Sequence, residues 1–324
     1  MTPPTQGKAI RRSVVVAGCL AVTCLSAGVD GQQPTERAVY VTVLDKAGLP
    51  ITGLTADFFA VREDGRDREV IGVAADAGPA QVALIVDTSA VTDAATEPYR
   101  QALAAFVERL APAHQVGLYE FGDRAAVLLT FTRDPGALRE RIGRITSRPA
   151  AAGRLVDAVE LAHRDLRALA ATRPVIVAVT AGGADSSARS AGSVIKLLIE
   201  YPSSLHVVAI SSRPGSAAPS LTSSSGRSEV ERRERLNQLS AAGEGDRERT
   251  QLLEQGTAKT GGGLHRVASP QAVGPALERV GAELLATYRV TFASPSRSKA
   301  GNLQVGVMLE DVTVRAVAAP SSGR

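Results

Sequence analysis

Val82-Ala-Leu-Ile-Val-Asp87-Thr88-Ser89-Ala90-Val91 is the stretch on which the fold turns. The continuous apolar run from Val82 to Val86 suits a strand buried on both faces, as in parallel sheets covered by helices. The run stops at a carboxylate, and beyond it Tyr99, Leu103, Phe106 and Leu110 recur at helical spacing until Pro112. A buried strand feeding an amphipathic helix is the opening half of a βαβ unit. Open α/β sheets place ligand sites just beyond the carboxyl ends of their strands, so Asp87 and Ser89 stand where a site is to be sought.

The same alternation continues downstream. Val116 to Phe121 and Ala125 to Phe131 read as a hairpin turned at Gly122-Asp123; Leu138, Ile142 and Ile145 mark a short helix, and Leu155, Val159, Ala162, Leu166 and Leu169 a longer one. Pro174 to Thr180 and Leu205 to Ile210 are further buried strands, with Val194, Leu197 and Leu198 on a helix between them. Val273, Leu277, Val280 and Leu284 form the last helical face. The reading is an α/β domain over 79–286 with a doubly wound, mostly parallel sheet. Residues 211–254 interrupt it with a Ser/Pro/Gly stretch and then mixed-sign charge. They read as a solvated, partly helical flap or a disordered insertion.

Strand patterns bracket this core. Val39, Val41 and Val43 alternate with Tyr40, Thr42 and Leu44, and Asp64-Gly65 sits between two short extended runs as a hairpin signal. Thr287 to Phe292, Leu303 to Leu309 and Val312 to Val317 alternate likewise. A lone hairpin is barely stable in water, so residues 38–78 and 287–318 are expected to combine into one small β-domain.

Residues 1–31 read as a secretory signal peptide: Lys8, Arg11 and Arg12 precede the apolar stretch Val14 to Leu25, and small residues follow at Ser26, Ala27, Gly28 and Gly31. An uncleaved N-terminal anchor and a lipoprotein signal, through Val-Ala-Gly-Cys19, are the other readings. The expected location is therefore outside the cytoplasm, periplasmic or extracellular. Cleavage would remove both cysteines, Cys19 and Cys24, so the mature chain could form no disulfide. Net charge would fall from +4 to +1, or to +2 if Asp30 leaves as well. With no Trp, five Tyr and six Phe, and so little net charge, nucleic acid is not an expected partner. No later segment approaches membrane-spanning length.

The Asp87-x-Ser89 turn after an apolar strand resembles the first motif of the von Willebrand factor type A domain. The similarity spans about residues 80–290 and includes Leu155-Val-Asp157-Ala, Val175-Ile-Val-Ala-Val-Thr180 and Gly261-Gly-Gly263. The flanks, Gly53-Leu-Thr-Ala-Asp57-Phe with Arg62-Glu-Asp-Gly65 and Tyr288-Arg-Val-Thr-Phe292, resemble those of secreted bacterial proteins related to that domain. The resemblance implies a site in which Asp-x-Ser-x-Ser, a Thr on a second loop and an Asp on a third hold Mg²⁺ through oxygens and water. Asp87 and Ser89 match that pattern. Val91 stands at the second serine, Gly153 at the threonine and Ala181 at the third-loop aspartate; Asp185 lies four residues beyond. The expectation is that no metal is held and no cofactor is needed, with Asp87 and Ser89 instead capping the loop and helix start. Mg²⁺ at a reorganised site is the alternative.

Other chemistry finds little support. There is no phosphate-binding Gly-x-x-x-x-Gly-Lys motif and no Gly-x-Ser-x-Gly nucleophile elbow. His114, His163, His206 and His265 lack metal-ligand spacing and read as surface or helix-end residues. The expected function is a non-enzymatic, exported adhesion-type or protein-binding module that engages a protein partner without a bridging ion. Two alternatives are a structural scaffold of the envelope and a hydrolase or other enzyme using Asp87 and Ser89, with or without Asp185.

Overall fold

The structure, a computed structural model, describes residues 35–88, 93–146, 153–183, 185–211, 229–295 and 302–320. The proposed leader, 1–31, and both Ser89 and Val91 lie outside the described residues. The described residues all belong to one compact unit, Pro34–Arg324.

The chain opens with β1 (Thr35–Leu44), β2 (Phe59–Glu63), β3 (Arg66–Arg68) and β4 (Val70–Ala74). It then alternates: β5 (Gln81–Asp87), α1 (Asp93–Leu110), β6 (Gln115–Phe121), β7 (Ala125–Thr132), α2 (Pro135–Gly143), α3 (Leu155–Ala168), β8 (Pro174–Thr180), α4 (Ala191–Glu200) and β9 (Ser204–Ile210). A long helix, α5 (Glu229–Gln251), runs on through a π turn, Leu252–Gly256, into one more turn, α6 (Thr257–Lys259). β10 (Leu264–Val267), α7 (Val273–Leu285), β11 (Tyr288–Ser294), β12 (Leu303–Val307) and β13 (Thr313–Ala318) complete it.

The α/β part is a six-stranded sheet in the order β10-β9-β8-β5-β6-β7, parallel throughout except for the β6–β7 hairpin. The apolar run at Val82–Val86 occupies a central strand, and the two-residue period of a strand divides its side chains between two cores. Val82, Leu84 and Val86 join a cluster with Tyr99, Leu103 and Phe106 of α1, Leu138 of α2 and Leu277 and Val280 of α7. Ala83 and Ile85 face the other way, against Val159 and Leu166 of α3, Val194 and Leu198 of α4, and Leu252 and Leu253. Helices on both faces explain why the run from Val82 to Val86 carries no polar residue before Asp87.

The outer strands form two further sheets. β1 lies between β11 and β13, with β4 beyond β11, so both ends of the described chain meet in one antiparallel sheet. A three-stranded sheet, β12-β2-β3, packs on it through Val39, Val41, Val43, Phe59, Val61, Tyr288 and Phe292. Its β2–β3 hairpin turns at Asp64-Gly65, whose φ values of 51° and 75° are those such a two-residue turn requires. The opposite face of β1 is buried as well. Tyr40 donates to the Thr172 carbonyl at 3.1 Å and lies under the Arg173 guanidinium, whose Nη1 donates to the Gly78 carbonyl at 3.0 Å and Nη2 to that of Leu284 at 2.6 Å. Arg173 thus ties the base of the α/β sheet to the strands that flank it.

The expectation for 211–254 requires correction in part. Residues 212–228 lie outside the described residues, and the charged stretch from Glu229 is a single long helix. One face of its last turns is not solvated: Gly245 is buried although Asp246 and Arg247 beside it are exposed, and Leu252 and Leu253, just beyond Gln251, enter the core beside α4. Mixed charge concealed this because the buried residues on the approach to Leu252 are a glycine and the stems of polar side chains.

Candidate functional site

Asp87 ends β5 at the centre of the sheet and is 2% exposed. Its Oδ2 accepts from the backbone N–H of Ala181 at 2.9 Å and from the Thr180 hydroxyl at 3.3 Å. The carboxylate therefore bridges the carboxyl ends of two neighbouring parallel strands, β5 and β8, where the backbone of β8 leaves the ladder. On the other side, Thr88 turns back on β6: its N–H and hydroxyl both point at the Phe121 carbonyl, at 2.9 and 3.0 Å.

Gly153 and Ala181, singled out in the sequence, both flank this centre. A Cβ on Gly153 would lie 3.2 Å from the Phe121 ring, so the tight packing there favours glycine. Its carbonyl accepts from the Ser186 N–H at 2.7 Å. Ala181 has no side-chain oxygen to offer, and its own carbonyl accepts from the Arg249 guanidinium.

Asp185, four residues beyond Ala181, is engaged at the start of a helix. Its Oδ2 accepts from the N–H groups of Leu155 and Val156 at 2.8 and 3.3 Å, and Oδ1 from the Ser187 N–H at 2.8 Å. It is the distant N-terminal cap of α3, satisfying donors that the first turn of a helix cannot satisfy itself. The clamp is reciprocal, since Asp157 in that first turn accepts from the N–H groups of Ala188 and Arg189 at 3.0 and 3.2 Å. A helix start lacking a local Ser, Thr, Asn or Asp was the available sequence signal for this role, Arg154 being the residue in the cap position.

Arg249 is the residue that sequence reasoning missed. It belongs to α5, 68 positions from the carbonyl it contacts, so spacing alone gave no cue. Burial lowers its pKa, while the carboxylates of Asp87, Asp185 and Asp246 act in the opposite direction. Glu248, one residue earlier, accepts from the N–H of Ala191 at the start of α4. Gly245 passes so close to the Asp185 backbone that an added Cβ would fall 2.1 Å from the Asp185 oxygen.

The histidines also require correction. His114, His163 and His206 are buried rather than superficial, and His265 is largely so. His114 accepts from the Ala80 N–H, and His163 pairs with the Ser203 hydroxyl. His206 and His265 converge on one buried carboxylate, Glu283, at 3.8 and 3.6 Å, where Arg315 is also paired. Burial, with nearby arginines adding to it, pushes the imidazole pKa of His206 down to about 3 and that of the other three to about 4. At neutral pH they are uncharged groups packed within the fold. Among the described residues, no group of three or more His, Cys, Asp or Glu side chains is arranged to hold a metal ion.

Residues 82–184 match the family model described as the von Willebrand factor type A domain. No curated protein matches the chain. Similar solved structures include proximal thread matrix protein 1 from the mussel byssus, 13% identical, with 72% of this chain and 50% of that one covered and a TM-score of 0.44. A von Willebrand factor type A protein from Catenulispora acidiphila is 12% identical over 90% of this chain and 75% of its own, with a TM-score of 0.43. The conserved hypothetical protein BatB from Bacteroides thetaiotaomicron is 18% identical over 62% and 97%, with a TM-score of 0.40. The chain spans about half the length of the mussel protein.

Proposed function

We propose that the chain, whose residues 82–184 match the model of the von Willebrand factor type A domain, is an exported, non-enzymatic protein-binding module that engages its partner without a bridging divalent ion. The observation that carries this reading is the use already made of Asp87. Its Oδ2 holds the Ala181 N–H and the Thr180 hydroxyl. A hard divalent ion needs about six oxygens in near-octahedral order. Here the positions flanking the carboxylate are Gly153, packed on Phe121, and Ala181, whose carbonyl faces a guanidinium. These residues do not fit Mg²⁺.

What supports the non-enzymatic half is the use made of Asp185. The hydrolase alternative needs a base near Ser89, and Asp185, the further carboxylate it could draw on, has both oxygens occupied capping α3 and its own loop. Partner contact is assigned to the loops at the carboxyl end of the sheet, including Gly122–Arg124 and Ser186–Arg189, together with the exposed flank of α5, where Arg233, Asn237 and Arg247 are open to solvent.

The test is affinity capture from the producing cell's envelope and medium fractions with the tagged full chain. Capture retained in EDTA, and lost when Asp123, Arg124 and Arg189 are changed to alanine, supports the reading. Loss of the partner in EDTA overturns its metal-independent part. Retention by the loop variant together with loss on altering β12 and β13 moves the contact to the flanking strands and favours the scaffold alternative.

A further inference from the structure

We infer that Arg249 is a resident cation of the type A site: its guanidinium, carried in on α5, supplies the positive charge that Asp87 and Asp185 require, and keeps divalent ions out. The inference rests on the proposed reading and specifies how that site works without metal.

The geometry is that of a built contact rather than a surface arm. Gly245, Glu248, Arg249 and Leu252 recur at helical spacing and so share one face of the helix or its continuation. Gly245 permits backbone-level approach to Asp185, Glu248 accepts from the Ala191 N–H at the start of α4, and Leu252 is fully buried. These three contacts fix the helix on the loop that follows β8. Arg249 then has one place to go, and its Nη2 donates to the Ala181 carbonyl. The N–H of the same alanine donates to Asp87 at 2.9 Å. Carboxylate and guanidinium are thus coupled through the two polar groups of one residue.

Electrostatics makes the arrangement necessary. A carboxylate as buried as Asp87 requires compensation by hydrogen bonds or opposite charge, and an arginine that is mostly buried requires nearby acids for the same reason. Asp87, Asp185 and Asp246 are the carboxylates whose fields favour its charged form. Arginine suits the task because it holds its charge at any physiological pH and presents several donors in a fixed plane. A dication entering beside Asp87 would meet that fixed charge. Unlike a metal ion, this cation cannot be chelated away, and its presence depends only on α5 being docked.

The experiment is a double-mutant cycle on the full chain, read as thermal midpoints, together with a titration of the wild-type chain with Mn²⁺ alone. Arg249→Met is expected to lower the midpoint by roughly 5 °C or more, and by much less when Asp87 is already Asn, because the uncompensated carboxylate is then gone. Wild type is expected to show no saturable Mn²⁺ binding. Should Arg249→Met fail to fold, Arg249→Lys enters the cycle in its place, and the same coupling with Asp87→Asn is expected at smaller size. Additive effects of the two substitutions overturn the inference, as does saturable Mn²⁺ binding by wild type that Asp87→Asn abolishes. Additivity with EDTA-resistant partner capture removes only the role of Arg249. Partner capture lost in EDTA removes the metal-independent reading itself.

Discussion

The N–H of Ala181 donates to the carboxylate of Asp87 at 2.9 Å, so the end of β8 hangs on the end of β5 through a buried charge. The residue that resembles a metal ligand is thereby a structural acceptor within the sheet. Removing it should therefore cost stability even with no ion in the solution.

Asp87→Ala deletes acceptors for the Ala181 N–H and the Thr180 hydroxyl and leaves Arg249 with one fewer counter-charge. A loss of about 3 kcal/mol is expected from breaking a buried charged network on one side. Urea unfolding at pH 7.5, with and without EDTA, measures it. A change below about 1 kcal/mol, or one that appears only when EDTA is omitted, would count against the structural role.

Asp185→Ala should behave as the loss of a helix cap. It frees the N–H groups of Leu155 and Val156, and about 1–2 kcal/mol is expected. Amide exchange should quicken first in the opening turn of α3. Unchanged protection at Leu155 and Val156 would contradict the assignment.

Gly245→Ala tests the docking of α5. Its new Cβ would overlap the backbone of Asp185 at 2.1 Å, with no flexible side chain to yield, so the last turns of the helix must move outward. Overpacking of this kind costs about 1–3 kcal/mol. Faster trypsin cleavage at Arg247 and Arg249, with the rest of the chain still folded, is the expected signature. Equal cleavage rates in variant and wild type would place the helix elsewhere.

Stability should fall on mild acidification. All four histidines have folded pKa values near 3 to 4, below the free value of 6.5, chiefly through burial. The unfolded chain then takes up protons first as pH drops. The stabilisation is complete above about pH 6.5 and is lost as pH falls from there towards 4, at up to roughly 1.4 kcal/mol per pH unit for each histidine. Urea midpoints at pH 7, 6 and 5 should decline, and His163→Gln should flatten the slope. A midpoint constant from pH 7 to 5 would refute this.

What the sequence determined by itself was the α/β core. Its apolar runs, such as Val82–Val86 and Val175–Val179, and its helical spacings, such as Leu155 to Leu166, reflect local periodicity imposed by burial on one or two faces. The Asp64-Gly65 turn was legible because its backbone geometry restricts the residues that can adopt it. The site was legible only in part: Asp87, Gly153 and Ala181 could be marked at the ends of strands, but not what each one holds. Asp185 as the cap of α3, Arg249 beside Ala181, and the meeting of His206 and His265 at Glu283 were decided by the tertiary structure. Each joins side chains to groups tens of positions away, and hydrogen bonds and charge pairs carry no sequence period. They depend on which loops the packed helices bring together at the end of the sheet.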